Sequence, residues 1–172
     1  MDMTPRSRFD RLLAAALGLL LGLALFASSA GPAAAQEDPP GRVGRVADLQ
    51  GSVFRFDADS GQWLAAQRNR PLSGGDRLST AVDGRAEVQV GSTTLRLGHA
   101  TEIEVQRLDD ERMVFELHAG ALAVRVRSRE VAHELEVVTQ EAQLAPQRSG
   151  YYRIDRSDDS TWAGAWSGEL QV

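Results

Sequence analysis

The chain has 172 residues, of which 19 are basic and 24 acidic, so its formal net charge at pH 7 is −5. This acidic balance argues against general nucleic-acid binding and adsorption to an anionic membrane surface, because both need a basic face that displaces counterions from phosphates. The sequence contains no cysteine, which excludes disulfides, thiol catalysis and thiolate metal sites.

Residues 1–35 have the three zones of an export signal. Met1–Arg11 carries three arginines, Leu12–Ala30 is rich in leucine and alanine, and Ala33-Ala34-Ala35 follows a Gly-Pro pair. This order predicts a signal helix that is cleaved between Ala35 and Gln36. The alternative is an uncleaved membrane anchor, since an apolar run of about 19 residues is at the lower end of what spans a bilayer. The predicted location is the periplasm, either free or facing it from that anchor.

A polar spacer at residues 36–41 leads into a single predicted domain over residues 42–172. In this domain apolar and polar residues alternate, which indicates strands with one apolar and one solvated face. Short turn sequences such as Asp57–Gly61 and Ser73–Asp76 separate the strands and favour antiparallel pairing. From the alternation we expect these side chains to point inward: Val88, Leu95, Leu97, Ile103, Val105, Phe115, Leu122, Val124 and Val137.

Three predicted strands begin with a glycine, at Gly51, Gly120 and Gly168. A glycine-led strand that recurs along a chain is typical of a solenoid-like stack or a twisted sandwich. No window of ten or more residues outside the signal has helical periodicity. The predicted fold class is therefore all-β, with short antiparallel strands in one of those two arrangements.

The alternating run Glu169–Val172 closes the sequence without a following turn or polar tail. Natural edge strands usually carry a charge or a proline that protects them from pairing with another chain. We therefore expect either that this edge associates with another chain or that the domain is incomplete at this end. The alternative is a strand already paired on one side.

The most specific part of the sequence is the stretch Asn69–Thr80, which contains the turn Gly75-Asp76-Arg77-Leu78-Ser79-Thr80. A Gly-x-Val strand start precedes it at Gly51, and a strand that ends near a glycine, Ala86–Gly91, and a glycine-led strand at Gly120 follow it. In this order the pieces resemble the FecR domain, a family named after a periplasmic regulator of iron-citrate signalling, over residues 42–172. The positions that carry the resemblance are Gly51, Trp63, Pro71, Gly75, Asp76, Leu78, Thr80 and Gly120.

This resemblance implies an all-β periplasmic domain that binds rather than catalyses. The signalling members of the family relay between an outer-membrane transducer and a cytoplasmic anti-sigma segment. Only about 11 residues precede the apolar segment here, too few for such a region. We therefore expect the fold and the compartment to carry over, and the anti-sigma role not to.

Local sequence patterns predict no metal site and no cofactor. The three histidines, His99, His118 and His133, lie too far apart for a local metal motif. Asp57-x-Asp59-x-Gly61 begins like a calcium loop, but Gln62 stands where that loop needs glycine. We interpret this segment as a hairpin turn.

The sequence also predicts no enzyme activity. It contains no Gly-x-Ser-x-Gly motif. The carboxylate pairs Glu102/Glu104 and Glu134/Glu136 fall on solvated strand faces, where carboxyl groups are poorly tuned for general acid catalysis.

Trp162 and Trp166, close to Tyr151 and Tyr152, form an aromatic concentration near the end of the sequence. We expect these rings to plug the end of the hydrophobic core. The alternative is an exposed platform of Tyr151, Trp162 and Trp166 that binds a sugar or a peptide.

These observations support a first hypothesis, a non-catalytic exported binding or scaffold module of the bacterial cell envelope with a protein or an envelope glycan as its partner. The second hypothesis is a periplasmic sensory or regulatory subunit that acts with a separate membrane signalling partner. A cell-envelope enzyme ranks last. We expect no nucleic-acid partner, and contact with a membrane only through an uncleaved signal segment.

Overall fold

The computed structural model describes residues 41–172. The predicted signal helix, its cleavage point between Ala35 and Gln36, and the spacer up to Pro40 lie outside the described residues. Within the described part, no helix is long and apolar enough to cross a membrane.

The described residues form fourteen β-strands and one short α-helix. In chain order they are β1 (Gly44–Gln50), β2 (Val53–Asp57), β3 (Gln62–Ala65), β4 (Pro71–Leu72), β5 (Arg77–Thr80), β6 (Arg85–Val90), β7 (Thr93–Leu97), β8 (Glu102–Leu108), β9 (Met113–Val126), α1 (Arg129–Glu134), β10 (Leu135–Val138), β11 (Gln143–Pro146), β12 (Gly150–Ser157), β13 (Ser160–Ser167) and β14 (Leu170–Gln171). The all-β prediction is confirmed.

The strands form one curled half-barrel sheet, in which β9 connects two layers. The first half of β9 pairs with β8 and β10, and its second half pairs with β7 and β12. We call β1, β4, β6, β7, the second half of β9, β12 and β13 the front layer. The back layer consists of β2, β3, β5, β8, the first half of β9, β10 and β11. This half-barrel replaces the solenoid or twisted sandwich that the sequence predicted.

The prediction that Gly120 begins a strand is wrong. Gly120 lies inside the 14-residue strand β9, at the point where the strand passes from the back layer to the front layer. Its φ of 85° is in the left-handed region, which glycine adopts without the steric cost of a side chain. Gly51, with a φ of 62°, lies at another passage between layers, from β1 to β2.

Strand pairing is antiparallel with one exception among the described strands, the parallel pair of β9 and β10. A parallel neighbour needs a crossover connection, and the unpredicted helix α1 is part of it. Ser128 caps this helix by accepting a hydrogen bond from the Val131 backbone N–H, at 3.2 Å. Six residues are too few to show a helical period in the sequence.

The inward faces of both layers share one hydrophobic core. All nine side chains that the alternation predicted to point inward are at most 2 % exposed, which confirms the strand phase. Arg125, on the opposite phase of β9, is exposed as predicted.

The run at Glu169–Val172 is paired on one side. Its strand β14 is antiparallel to β11, with Leu170 opposite Pro146 and Gln171 opposite Ala145. This is the alternative that the sequence left open for the run. Association of this edge with another chain remains a prediction.

Candidate binding face

The residues that carry the sequence resemblance lie at turns and strand pairs of the fold, beginning with the turn before β5. The Asp76 carboxylate accepts a hydrogen bond of 2.8 Å from the Ser73 backbone N–H, and Gly75 has a φ of 89°. Leu78 is 1 % exposed and belongs to the core. This turn therefore fixes where β5 enters the back layer.

Thr80 lies at the corner where β9 bends. Its hydroxyl donates to the Gly98 carbonyl at 2.7 Å and accepts from the Thr101 backbone N–H at 2.9 Å. The Thr101 hydroxyl in turn accepts from the Ala121 backbone N–H at 3.0 Å, next to Gly120. The hydroxyls of Thr80 and Thr101 thus satisfy backbone groups at the bend, where Gly120 adopts the left-handed conformation.

Two other matching residues lie near the ends of the sheet. Pro71 is exposed on the edge strand β4, where it pairs with Arg45. Trp63 on β3 is 37 % exposed and packs edge-to-face on Phe56, with ring centroids 5.4 Å apart. The Arg77 guanidinium lies 5.5 Å from the Trp63 ring centroid and also forms an ion pair with Glu102.

A polar cluster on the back layer brings together three groups with metal-ligating atoms, Glu104, Glu116 and His118, within 4.8 Å of one another. Local spacing in the sequence does not reveal this cluster, because Glu104 on β8 meets Glu116 on β9 only through strand register. His118 Nε2 is 3.3 Å from Glu104, and Arg77 Nε is 3.8 Å from the same carboxylate. This guanidinium already balances charge at Glu104, and we assign no metal to the cluster.

A second polar cluster surrounds Glu141, in the turn between β10 and β11. The Arg156 guanidinium donates to the Glu141 carboxylate at 3.1 and 3.2 Å, and the Thr161 hydroxyl donates to it at 2.7 Å. Two hydrogen bonds lower the pKa of Glu141 from 4.5 to about 2, and the bond from Arg156 has a larger effect than the bond from Thr161. Arg156 also donates to the His118 carbonyl, so it links this cluster to the previous one.

The Arg156→Gln substitution should return the pKa of Glu141 toward 4.5, because it removes the guanidinium that stabilises the charged carboxylate. A carboxyl whose pKa is lowered in the folded state stabilises the fold above its unfolded pKa, and this contribution is lost as the pH falls through the folded pKa. The stability difference between the two proteins should therefore shrink between pH 4.5 and about 2. Carboxyl-detected NMR titration measures the pKa directly, with Arg112→Gln as the control. A Glu141 midpoint near 4.5 in the unaltered protein would contradict the assignment.

The aromatic residues near the end of the sequence differ in burial. Tyr152 is fully buried, and its hydroxyl donates to the Arg148 carbonyl. Trp162 and Trp166 are 60 % and 68 % exposed, so the prediction that they plug the core is wrong for both tryptophans. The reason is strand phase: Trp162 and Trp166 are four residues apart on β13 and face outward, whereas Ala163 between them packs against the core.

The two tryptophans lie on the outer face of the front layer. A Cβ added at Gly164 would come within 2.7 Å of the Trp162 ring, so this glycine lets the indole lie down on its own strand. Trp166 packs edge-to-face on Tyr151, with ring centroids 6.3 Å apart. Tyr151, Trp162 and Trp166 thus occupy the front face of β12 and β13, as the alternative interpretation required.

Next to these rings, an open groove of about 390 Å³ runs along β9. We call it the front groove. Its floor is formed by Ala121 and Ala123, whose side chains are too short to fill the space between the neighbouring strands. Ala123 lies between Arg96 on β7 and Arg153 on β12 in strand register, so the two guanidinium side chains form opposite walls. The groove lining is Arg85, Arg96, Leu97, Gly98, His99, Ala121, Ala123 and Arg153.

The wall arginines are held in place by carboxylates at the rim. Arg96 donates to Glu87 at 2.8 Å, and Arg153 donates to Asp155 through two bonds of 2.6 Å. The hydrogen bond to Glu87 raises the pKa of Arg96, and the bonds to Asp155 raise the pKa of Arg153. Both guanidinium groups therefore carry a permanent charge and a fixed orientation.

Two further arginines lie on the same outer face. Arg85 lines the groove and contacts the His99 ring at 2.9 Å, whereas Arg125 lies beyond the groove, with its guanidinium 5.8 Å from the Tyr151 ring centroid. Within the described part of the chain, neither Arg85 nor Arg125 forms an ion pair with a carboxylate. The groove thus presents cationic groups in a protein whose net charge is −5.

The alternation within β9 places Arg125 on the solvated face but does not reveal the groove. The arginines that line the groove come from β6, β7 and β12, and only cross-strand register brings them together. A usable signal was present, since Ala121, Ala123 and Arg125 are the outward residues of one strand.

Comparison with known proteins gives one match at the level of families. Residues 76–171, more than half of the chain, match the family described as FecR protein. No curated protein and no solved structure matches the chain significantly.

Proposed function

Because this chain belongs to the FecR protein family, we propose that it is a non-catalytic binding module of the bacterial cell envelope. Members of the family are envelope-associated and act as regulatory or sensory modules with partner proteins. The observation that carries the binding proposal is the outer face of the front layer. There, exposed Trp162 lies over Gly164, which pairs with Arg153 on the wall of the front groove, and exposed Trp166 packs on Tyr151.

The chemistry of this face supports recognition rather than a reaction. Exposed indole rings supply large, rigid contact area, and guanidinium groups supply directional donors to anionic groups. Contiguous exposed apolar surface next to polar groups is typical of an interaction site. The proposed export to the periplasm makes an envelope component the natural partner.

Replacing Trp162 and Trp166 together with alanine should abolish most of the binding to isolated envelope fragments, because both rings project from the fold. The fold itself should be preserved, since exposed residues contribute little to stability. Co-sedimentation of the purified protein with envelope fragments from the encoding bacterium measures the binding. Trp63→Ala, on the back layer, is the matched control and should bind as the unaltered protein does.

Two outcomes would count against this proposal. Equal sedimentation of the double tryptophan variant and the unaltered protein would show that the two tryptophans on the front face do not take part in the binding. An equal loss of binding in the Trp63→Ala control would place the interaction on the back layer.

The family assignment favours a second function, a sensory or regulatory subunit that works with a separate membrane signalling partner. In this case a membrane protein encoded beside this gene should co-purify with the chain after crosslinking in cells. If the membrane protein no longer co-purifies with the double tryptophan variant, both functions use the same surface.

A further inference from the structure

We propose that the front groove binds an acidic polysaccharide of the cell envelope, whose carboxylates contact the groove arginines while its sugar rings stack on the tryptophans. This inference rests on the proposed binding function and names the ligand class of the same face. The charge of the groove is its first support. The lining contains Arg85, Arg96, Arg153 and His99 but no acidic side chain, although the chain as a whole is acidic.

The geometry of the groove fits an extended polymer. It is open, and it follows the outward residues Ala121 and Ala123 of β9. Beyond Ala123, Arg96 donates a hydrogen bond to the Tyr151 hydroxyl across β9. Arg125 lies on the far side of this contact. Arg96 and Arg153 approach from opposite sides at the same register, so anionic groups along a chain in the groove meet donors on both walls. Guanidinium groups bind carboxylates through paired hydrogen bonds, which are stronger than neutral ones.

The aromatic residues select for sugar rings. Because Trp162 lies down on Gly164, one face of its indole rests on the strand and the other is free. A pyranose ring has one side made of C–H groups, and this side stacks on a free aromatic face. Trp166 and Tyr151 extend the aromatic surface along the same face toward Arg125, which lies beyond the groove.

Two other polyanions fit less well. A peptide recognised by a sheet usually adds to an edge strand through backbone hydrogen bonds, whereas this groove lies on a sheet face with an alanine floor. A nucleic acid is not a component of the cell envelope, to which the proposed export takes this protein. An acidic polysaccharide, with carboxylates for the arginines and C–H ring faces for the tryptophans, matches both parts of the surface.

The test is isothermal titration of the purified protein with alginate, a polysaccharide of uronic acids. Neutral dextran, polyglutamate and oligo-deoxythymidine are titrated in parallel. Alginate should bind more tightly than the other three, and its affinity should fall as the salt concentration rises. The Arg85→Gln/Arg125→Gln variant, which removes two guanidinium groups without leaving a paired carboxylate behind, should bind alginate about tenfold more weakly or worse.

A matched control removes the same charge elsewhere. Arg107→Gln/Arg112→Gln changes two exposed arginines at the hairpin between β8 and β9 and should bind alginate as the unaltered protein does. Absence of alginate binding at low salt would overturn the inference, as would equal weakening by both double variants. Tighter binding of polyglutamate or oligo-deoxythymidine would overturn it in favour of that polyanion.

These results are separable from the proposed function. If envelope fragments bind in a tryptophan-dependent manner and alginate does not bind, the ligand class is wrong and the binding module stands. If neither envelope fragments nor alginate bind, the proposed function is wrong as well.

Discussion

Replacing Gly120 with alanine should lower the free energy of unfolding by at least about 3 kcal/mol, because it combines backbone strain with a steric clash. The φ of 85° at Gly120 disfavours any side chain. An added Cβ would also lie 2.4 Å from the Thr101 hydroxyl oxygen and 2.5 Å from the Ala100 carbonyl oxygen. The Ala100 carbonyl belongs to the backbone, so it cannot rotate away. Chemical denaturation followed by circular dichroism measures the loss.

Gly61→Ala separates the two causes. Gly61 has a φ of 65° but no atom within 4 Å of an added Cβ, so this substitution introduces strain without a clash. It should cost only about 1 kcal/mol. Equal losses for Gly61→Ala and Gly120→Ala would show that the bend in β9 does not need the close approach to Thr101.

Leu122→Ala should destabilise the protein by about 2–5 kcal/mol, the range for a buried leucine that leaves a cavity. Leu122 is fully buried on β9, between Leu97 and Ile154 on the neighbouring strands. Arg125→Ala, three residues further along the same strand, should change stability by less than about 0.5 kcal/mol, because its side chain faces solvent. Urea denaturation of the two variants provides the comparison.

The difference between these two variants tests the phase of β9. Equal losses for Leu122→Ala and Arg125→Ala would mean that the inward and outward faces of the strand are wrongly assigned. In that case the front groove, which is built on the outward residues of β9, would be wrong too.

The core was predictable from the sequence because its signal is local. A strand with one buried face alternates every two residues, and this period alone placed Leu95, Ile103, Phe115 and Leu122 inside. The bend at Gly120 was not predictable in the same way. A glycine between two alternating runs is consistent either with a new strand or with one strand that changes layers, and only the pairing partners decide.

The candidate site was less predictable, for two physical reasons. Large apolar rings are usually buried, so Trp162 and Trp166 were expected in the core, yet their phase on β13 puts Ala163 there instead. The groove depends on cross-strand register, which places Arg96 and Arg153 on either side of Ala123 although they are far apart in the sequence. Periodicity within one strand carries no information about this register.

The fold of this chain thus builds a cationic and aromatic surface from residues other than those that carry the sequence resemblance. Gly75, Asp76, Thr80 and Gly120 set turns and corners, whereas the groove arginines occupy outward positions that the fold leaves free. Related chains with the same corners can therefore present different outer faces.

The most direct test of the binding face is an amide and indole NMR shift map during titration with short alginate oligosaccharides. The account predicts that shift changes concentrate at Ala121, Ala123 and Arg153 and at the indole N–H groups of Trp162 and Trp166. Shift changes that concentrate on the back layer around Trp63 and Arg77, with the front groove unchanged, would contradict it.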